Sequence, residues 1–323
     1  MNGIILPYEL NVESIVYHTQ AFALGMIKPN IRNYDSWLCN KYINCLFNTG
    51  FNMYDEDVLS LKEGLSVKIG GQIVYEAFQA LCPDLIEKNK EMLDQGYYIW
   101  GTYDEFYIPY KSPYQRRHFI HSYVIYGYDD NEGVFKSAGY LADGRYNRFN
   151  IKYDDYLNSI MCDEVPHQRK LDYVHINSAY EGYIDVPHIR EQLLNFLNSY
   201  GRSNPSAIEH YGVSAWQQLV TYLSSDENTT IDLRYMRTYM EHKRLMDHRI
   251  KHLTMHGYLS NQRLSSEYHE AIFLKSMQLF YMSIKFLIKN DTEILNRMVT
   301  IVQDINIREE KLIETVISEF QNG

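Results

Sequence analysis

The stretch Gly96–Asp130, GYYIWGTYDEFYIPYKSPYQRRHFIHSYVIYGYDD, constrains the fold more than any other part of the chain. Its two ends, YYIW and HSYVIYGYD, are runs of aromatic and β-branched residues bounded by Gly or Asp, which is typical of strands. The residues between them include two prolines, two arginines and six Phe or Tyr residues, so they predict a long excursion over a sheet edge. We therefore expect two adjacent strands of one sheet, joined by a loop of the kind that often lines a site.

His121 stands at the start of the second of these strands, which makes it a candidate general base. The alternative is a half-exposed strand histidine that bonds only to backbone. His118 is a rival, and its odd separation from His121 predicts that the two lie on opposite faces of a continuous strand. Asp143 and Asp129 are candidates to orient the ring, although each stands in an ordinary turn sequence.

The cysteines show no spacing that indicates a disulfide framework or a zinc site, and they stand at Cys39, Cys45, Cys82 and Cys162. Asp35-Ser36 precedes WLCNKYINCLFNTG, which predicts a helix that ends at Gly50 and holds Cys39 in its first turn. Free N–H groups there favour a thiolate, so Cys39 is the preferred nucleophile. A buried, unreactive thiol is the alternative.

Composition excludes some classes of protein. The chain has 323 residues, 45% of them hydrophobic, and a formal net charge of −10. This acidity argues against nucleic-acid binding, which needs a basic surface. We find no signal-peptide pattern at the start and no run that approaches the roughly 20 apolar residues of a membrane span. The sequence therefore predicts a soluble, cytoplasmic protein without a membrane segment.

Periodicity divides the chain into two halves. Residues 14–22 predict a strand, residues 55–94 a helical region, and residues 97–153 several strands with a turn at Asp143-Gly144. From about residue 185, five segments have apolar residues at helical intervals. One of them carries His248, His252 and His256, for which a solvated helix face is favoured over a metal site. We expect an α+β domain with an antiparallel sheet over residues 1–175 and an all-helical domain over 176–323.

Several of these motifs together resemble the butirosin biosynthesis protein H family, whose members are similar to papain-fold cysteine peptidases. The resemblance covers roughly residues 33–260 and is carried by DEFYIPY, HSYVIYGYDD, a Gly-Val-Phe strand, YGVSAWQQL and DLRYMRTYMEHKRLMDHRI. In the family the nucleophile follows a histidine and begins the first helix. Spacing to Gly50 and to Glu63-Gly64 places Trp37, not Cys39, in that position. The family acid usually ends the strand after GYD, where this chain has Lys136-Ser137-Ala138.

The resemblance implies a papain-like thiol acyltransferase of specialised-metabolite biosynthesis, in nonribosomal-peptide or aminoglycoside-type pathways. Such an enzyme moves an acyl or aminoacyl group from the phosphopantetheine arm of an acyl or peptidyl carrier protein to a small amine, with no permanently bound cofactor or metal. Cys39, His121 and Asp143 are the expected catalytic residues. The expected substrate-binding residues are Trp37, Asp104, Tyr107, Tyr110, Tyr114, Arg116 and Arg117, with Lys111 adding to a basic docking patch. A homodimer through the helical domain is a further expectation.

Two other functions stay open at this point. The displaced cysteine and the missing acid favour a papain-like fold that has lost its chemistry and serves as a binding or accessory subunit. A cysteine peptidase or amidohydrolase differs from the transferase only in what attacks and what leaves, so the sequence does not separate the two.

Overall fold

The protein is described by a computed structural model that covers residues 3–48, 50–54, 66–72, 85–161, 170–201, 208–225 and 230–320. The architecture is α+β, with antiparallel sheets and a helical carboxyl-terminal region, as the sequence predicted. The chain forms two compact units. Unit 1 comprises Met1–Arg32 and Leu59–Tyr180, and unit 2 comprises Asn33–Val58 and Glu181–Gly323. The segment Asn33–Val58 thus groups with the helical half, whereas the predicted domains had placed it in residues 1–175.

The amino-terminal elements follow in this order: β1 (Gly3–Ile5), α1 (His18–Ile27), α2 (Tyr34–Leu38), β2 (Asn44–Phe47), β3 (Phe51–Tyr54), β4 (Ser66–Gln72), α3 (Leu85–Asp94), β5 (Tyr97–Asp104), β6 (Ile120–Asp129), β7 (Val134–Tyr140), β8 (Tyr146–Lys152), α4 (Tyr153–Met161) and β9 (Lys170–Ile176). The later elements are α5 (Val186–Leu197), β10 (His210–Tyr211), α6 (Gly212–Leu223), α7 (Leu233–Met255), α8 (Arg263–Tyr268), α9 (Leu274–Lys289) and α10 (Thr292–Glu319).

Unit 1 is built on an antiparallel sheet with the strand order β4-β9-β5-β6-β7-β8, and β1 adds to β6. The predicted strands between residues 97 and 153 do form one sheet, because β5 to β8 pair in sequence order. Residues 105–119 form the loop between β5 and β6. The antiparallel pairing of these two strands places Tyr103 opposite His121. A register shift between Ile125 and Gly127 lets β6 continue along β7.

Helix α1 replaces the strand predicted over residues 14–22, so that prediction was wrong. Eight of its residues, from Gln20 to Ile27, are buried. A helix buried on every side has no polar face, and its sequence therefore lacks the helical period that marks amphipathic helices. The strand predicted over residues 14–22 overlaps the first five residues of this helix, His18 to Phe22.

The helix predicted from Asp35 to Gly50 was also wrong. Helix α2 ends at Leu38, and Asn44–Phe47 forms strand β2, which pairs with β3 on one side and with β10 on the other. The pairing of β2 with His210–Tyr211 joins residues more than 160 positions apart, so no local pattern could reveal it. Cys45, predicted to lie inside the helix, is a buried strand residue.

Unit 2 has its core among the five predicted helical segments, all of which are helical; a π-helical turn, His269–Phe273, interrupts the fourth. Its interior also holds a buried ion pair, in which Lys243 of α7 donates to Glu309 of α10. The hydroxyl of Tyr268 donates to the same carboxylate. Burying charge is tolerated here because each charged group has direct partners.

One helical stretch within the described residues, Arg263–Lys289, has the length and apolar composition of a membrane span, with a mean hydropathy of 1.4. Core helices of soluble proteins pass the same test of length and composition, so the expectation of a chain without a membrane segment stays a prediction. Only 28% of its most apolar window is buried, and exposed apolar side chains on α9 include Leu274, Tyr281, Leu287 and Ile288.

Candidate functional site

The candidate site in unit 1 is centred on His121 at the start of β6. Glu105 follows the end of β5 directly, and its Oε1 lies 3.1 Å from His121 Nδ1. The Glu105 carboxylate is almost fully buried, whereas about 30% of the His121 side chain is exposed. Because a carboxylate only accepts, Nδ1 carries the hydrogen and Nε2 of the neutral ring keeps its lone pair. This is the orientation that a general base needs.

A second histidine–carboxylate pair lies beside the first. His118 Nδ1 is 2.6 Å from Asp104 Oδ2, and the other oxygen of Asp104 accepts the backbone N–H groups of Phe106 and Phe119, each at 3.0 Å. The His118 ring stacks on Phe106 with centroids 4.4 Å apart. Asp104, predicted to bind substrate, therefore stabilises the loop through these hydrogen bonds to its backbone. His118 lies just before β6, and its carboxylate partner is Asp104 rather than Glu105.

Lys111 lies under the site and is only 3% exposed. Its Nζ is 3.3 Å from Glu105 Oε1 and donates to the carbonyl of Tyr140 at 2.6 Å. Burial lowers the pKa of Lys111, and the Glu105 carboxylate acts in the opposite direction. The expectation that Lys111 contributes to a surface docking patch is therefore wrong, because its ammonium group is buried and forms an ion pair with the buried Glu105 carboxylate.

His18 is the site residue that sequence reasoning missed. It begins α1, and its ring centroid is 5.4 Å from that of His121 in an edge-on arrangement. Burial, and to a smaller extent His121, lowers the pKa of His18 to about 4, so the ring is neutral near pH 7. The incorrect strand prediction over residues 14–22 hid the helix start that would have drawn attention to it.

The predicted aromatic and basic loop residues occupy different positions around this site. Tyr107 lies with its ring centroid 6.1 Å from that of His118, while Tyr110 is half-exposed and packs 6.0 Å from Phe149. The remaining three are Tyr114, which accepts from Gln115 at 3.1 Å, and Arg116 and Arg117, whose side chains are exposed.

Cys39 belongs to unit 2 and follows the last residue of α2, so its predicted place in a first helical turn was wrong. Its N–H donates to the carbonyl of Asp35, which occupies the group expected to stabilise an oxyanion. The side chain is 0% exposed. Burial raises the pKa of the thiol to about 12, although Arg249 acts in the opposite direction. A thiol in this setting is a poor nucleophile.

Trp37 and Asp143 also differ from their predicted roles. Trp37 is fully buried in unit 2 and packs against Tyr34, with centroids 5.6 Å apart, so it does not line an open cleft. Asp143 is exposed in the β7–β8 turn, where it accepts the N–H of Arg145 at 3.0 Å. The carboxylate that contacts His121 is that of Glu105. Asp129, the other acid predicted to orient the ring, lies at the opposite end of β6 from His121 and accepts the N–H of Asn131 at 3.0 Å.

The histidines of α7 have protein partners. His248 Nε2 is 3.5 Å from Asp35 Oδ1, and His252 Nε2 is 3.1 Å from Ser36 Oγ. Burial, together with His256 and His248, lowers the pKa of His252. Within the described ranges, no group of three or more His, Cys, Asp or Glu side chains has the arrangement of a metal site.

No protein-family model matches the chain, and no curated protein matches it either. The resemblance to the butirosin biosynthesis protein H family therefore stays a prediction, carried by the motifs quoted above.

Proposed function

We propose that this protein is a papain-like binding or accessory subunit of specialised-metabolite biosynthesis in which thiol chemistry has been lost. The observation that carries the proposal is the start of α1, which reads His18-Thr19. In the family that the chain resembles, a cysteine follows a histidine and begins the first helix. Spacing had placed Trp37 in that position, but the helix that begins with a histidine is α1, where Thr19 follows His18. A hydroxyl is a much weaker nucleophile than a thiolate.

The positions and burial of the cysteines of this chain support the same conclusion. Among the described residues of unit 1 there is no cysteine, and Cys82 and Cys162 lie outside the described residues. Cys39 and Cys45 belong to unit 2, are fully buried and have raised pKa values. Neither is therefore available as a thiolate near neutral pH.

The partner that we propose is an acyl or peptidyl carrier protein in the cytoplasm, presenting its phosphopantetheine arm. Arg116 and Arg117 are exposed on the excursion that leads into β6, four to five residues before His121. Carrier proteins are acidic, and a protein with a net charge of −10 needs a local basic surface to bind one. The two arginines supply that charge near the candidate site.

Two measurements test this proposal. Binding of a holo carrier protein, measured by calorimetry, should fall at least tenfold in the Arg116→Glu/Arg117→Glu variant. The matched control, Lys88→Glu/Arg145→Glu, changes two exposed cations of the same unit and should bind like the wild type. Incubation with acyl-pantetheine thioesters should give no acyl adduct by intact mass. A stable adduct on Cys39 would overturn the loss of thiol chemistry, and equal loss of binding in both variants would overturn the docking site.

A second candidate function, amide formation without a covalent intermediate, is favoured by the hydrogen bond between Glu105 and His121. In this reaction His121 Nε2 takes a proton as the acceptor amine attacks the thioester carbonyl. The C–S bond then breaks, and the pantetheine thiolate leaves with that proton. Hydrolysis follows the same course with water as the attacking group. His121→Ala should abolish product formation while Cys39→Ala keeps it; the reverse pattern would return the role to Cys39.

A further inference from the structure

A cavity of about 280 Å³ lies within unit 2, beside helix α5. Four α5 residues line it, at positions i, i+3, i+4 and i+7: His188, Glu191, Gln192 and Asn195. This spacing puts their side chains on one face of the helix. The opposite, apolar face, with Ile189, Leu193 and Phe196, is buried in the core of the unit. The polar face of α5 therefore forms the wall of a concavity.

The facing wall comes from the segment between α2 and β2, and its side chains are held in place. Asn40 donates to the carbonyl of Tyr183 at 2.6 Å and accepts the N–H of Asp185 at 2.9 Å. Asn44, which is 1% exposed, donates to the carbonyl of Tyr200 at 2.8 Å. Walls fixed in this way do not need to be ordered when a ligand binds, which lowers the entropic cost of binding.

Tyr42, which also lines the cavity, has a backbone φ of +55°, in the left-handed region. This conformation is unfavourable for a non-glycine residue, and such residues cluster at ligand sites. The Tyr42 ring is only 2% exposed, so the aromatic surface open to the cavity is that of Tyr200, which also lines it and is 53% exposed.

The chemistry of the lining restricts the class of ligand. His188 Nε2 lies 3.2 Å from the carbonyl of Asn40, so it donates and leaves Nδ1 as an acceptor in the neutral ring. Gln192 and Asn195 each offer an amide donor and an amide acceptor. Among the described residues that line the cavity there is no lysine or arginine, which disfavours phosphates and carboxylates.

We propose that this cavity binds a compact, neutral polyhydroxylated molecule of the size of a monosaccharide or a cyclitol. A hydroxyl group donates and accepts, as the amides of Gln192 and Asn195 do, and the C–H face of such a ring packs on an exposed aromatic side chain such as Tyr200. Among the described residues of the lining, Glu191 is the only one with a formal charge, and it is exposed, so water screens its attraction for a cation. The site lies wholly in unit 2 and is independent of the carrier binding proposed for unit 1.

Saturation-transfer NMR on the full-length protein tests the site with four probes: glucose, myo-inositol, glucosamine as the cationic analogue and glucose 6-phosphate as the anionic one. We expect saturable binding of at least one neutral probe and weaker binding of the anion. Asn195→Ala and Gln192→Ala should each weaken the neutral probe about fivefold, the effect of one lost hydrogen bond. Gln217→Ala, the same change at an exposed helical position of unit 2, should have no effect.

Glu191→Gln separates a neutral ligand from a cationic one. It removes the charge but keeps the shape, so binding of the neutral probe should change by less than about twofold. Preferential glucosamine binding that Glu191→Gln abolishes would overturn the proposal in favour of a cation site. Saturable binding of no neutral probe would also overturn it, as would neutral binding that Asn195→Ala and Gln192→Ala leave unchanged while circular dichroism shows both variants folded.

Discussion

Glu105 accepts a hydrogen bond from His121 between the end of β5 and the start of β6, and the same carboxylate neutralises the buried Lys111. The Glu105 carboxylate therefore orients the partly exposed His121 ring and also supplies the counter-charge for the buried Lys111 ammonium. Both functions depend on the antiparallel register that sets Tyr103 opposite His121.

Glu105→Gln should destabilise the protein by about 3 kcal/mol, because it leaves the Lys111 ammonium buried without a counter-charge. The double variant Glu105→Gln/Lys111→Met removes that unpaired charge and should recover most of the loss. Urea unfolding at pH 7 measures both. Equal destabilisation of the single and double variants would show that the ion pair is not the source of the effect.

The His18 ring should make the stability depend on pH. Its folded pKa of about 4 lies below the usual 6.5, so between these values the unfolded state binds more protons and stability falls as the pH falls. The His18 contribution is complete above pH 6.5 and is lost by about pH 4, an effect of up to about 3 kcal/mol. His242 and His252 have lowered pKa values as well, so the measurement is the difference between wild type and His18→Gln. Urea unfolding should show this difference changing between pH 4.5 and 7; a constant difference would contradict the prediction.

Cys39 and Cys45 should resist alkylation at pH 8 in the native protein. A thiol with a pKa of about 12 is roughly one part in ten thousand thiolate at that pH, and both side chains are inaccessible. Peptide mapping after iodoacetamide treatment should find these two sites unmodified until urea is added. Rapid native labelling of Cys39 would mean that the site opens, and would revive it as a nucleophile.

Gly212→Ala should destabilise the protein by about 3 kcal/mol or more. Gly212 has φ +52°, and an added Cβ would stand 2.0 Å from the carbonyl oxygen of Phe196. Gly257→Ala is the matched control, since Gly257 has φ +77° but open space around it, so only the backbone cost of about 1 kcal/mol applies. Thermal melts of the two variants give the comparison, and similar costs would exclude the steric clash as the cause.

Local signals were sufficient for strands β5 to β8 of unit 1, but not for helix α1 or for β4 (Ser66–Gln72), which lies in residues 55–94 that were predicted to be helical. The meander from β5 to β8 pairs neighbours in sequence, so turn residues and strand runs predicted it and correctly identified His121 as a strand-start histidine. The sequence of helix α1 shows no hydrophobic period of 3.6 residues because the helix is buried on every face. The helix was therefore not predicted, and neither was the site residue His18 at its start. Glu105 was visible in the sequence, yet only the β5–β6 register shows that it reaches His121.

The assignment of Cys39 failed for a different reason. Asp35 and Ser36 are good capping residues, and the helix does begin near them, but it lasts five residues because β2 is recruited by β3 and β10. A non-local pairing thus overrode the local helical pattern. Cys39 consequently lies at the end of the helix with its N–H already bonded, where the helix supplies no charge that stabilises a thiolate.

The early position of β2 in the chain has a consequence for synthesis on the ribosome. Strand β2 packs against elements made much later; Cys45 Sγ, for example, donates to the carbonyl of Gly212, 167 residues further on. At typical elongation rates of about 5–20 residues per second, β2 and β3 wait roughly ten to thirty seconds for those partners. During that interval the apolar face around Phe51 has no native cover. We therefore expect nascent chains of this protein to expose an apolar hairpin for about half of their translation.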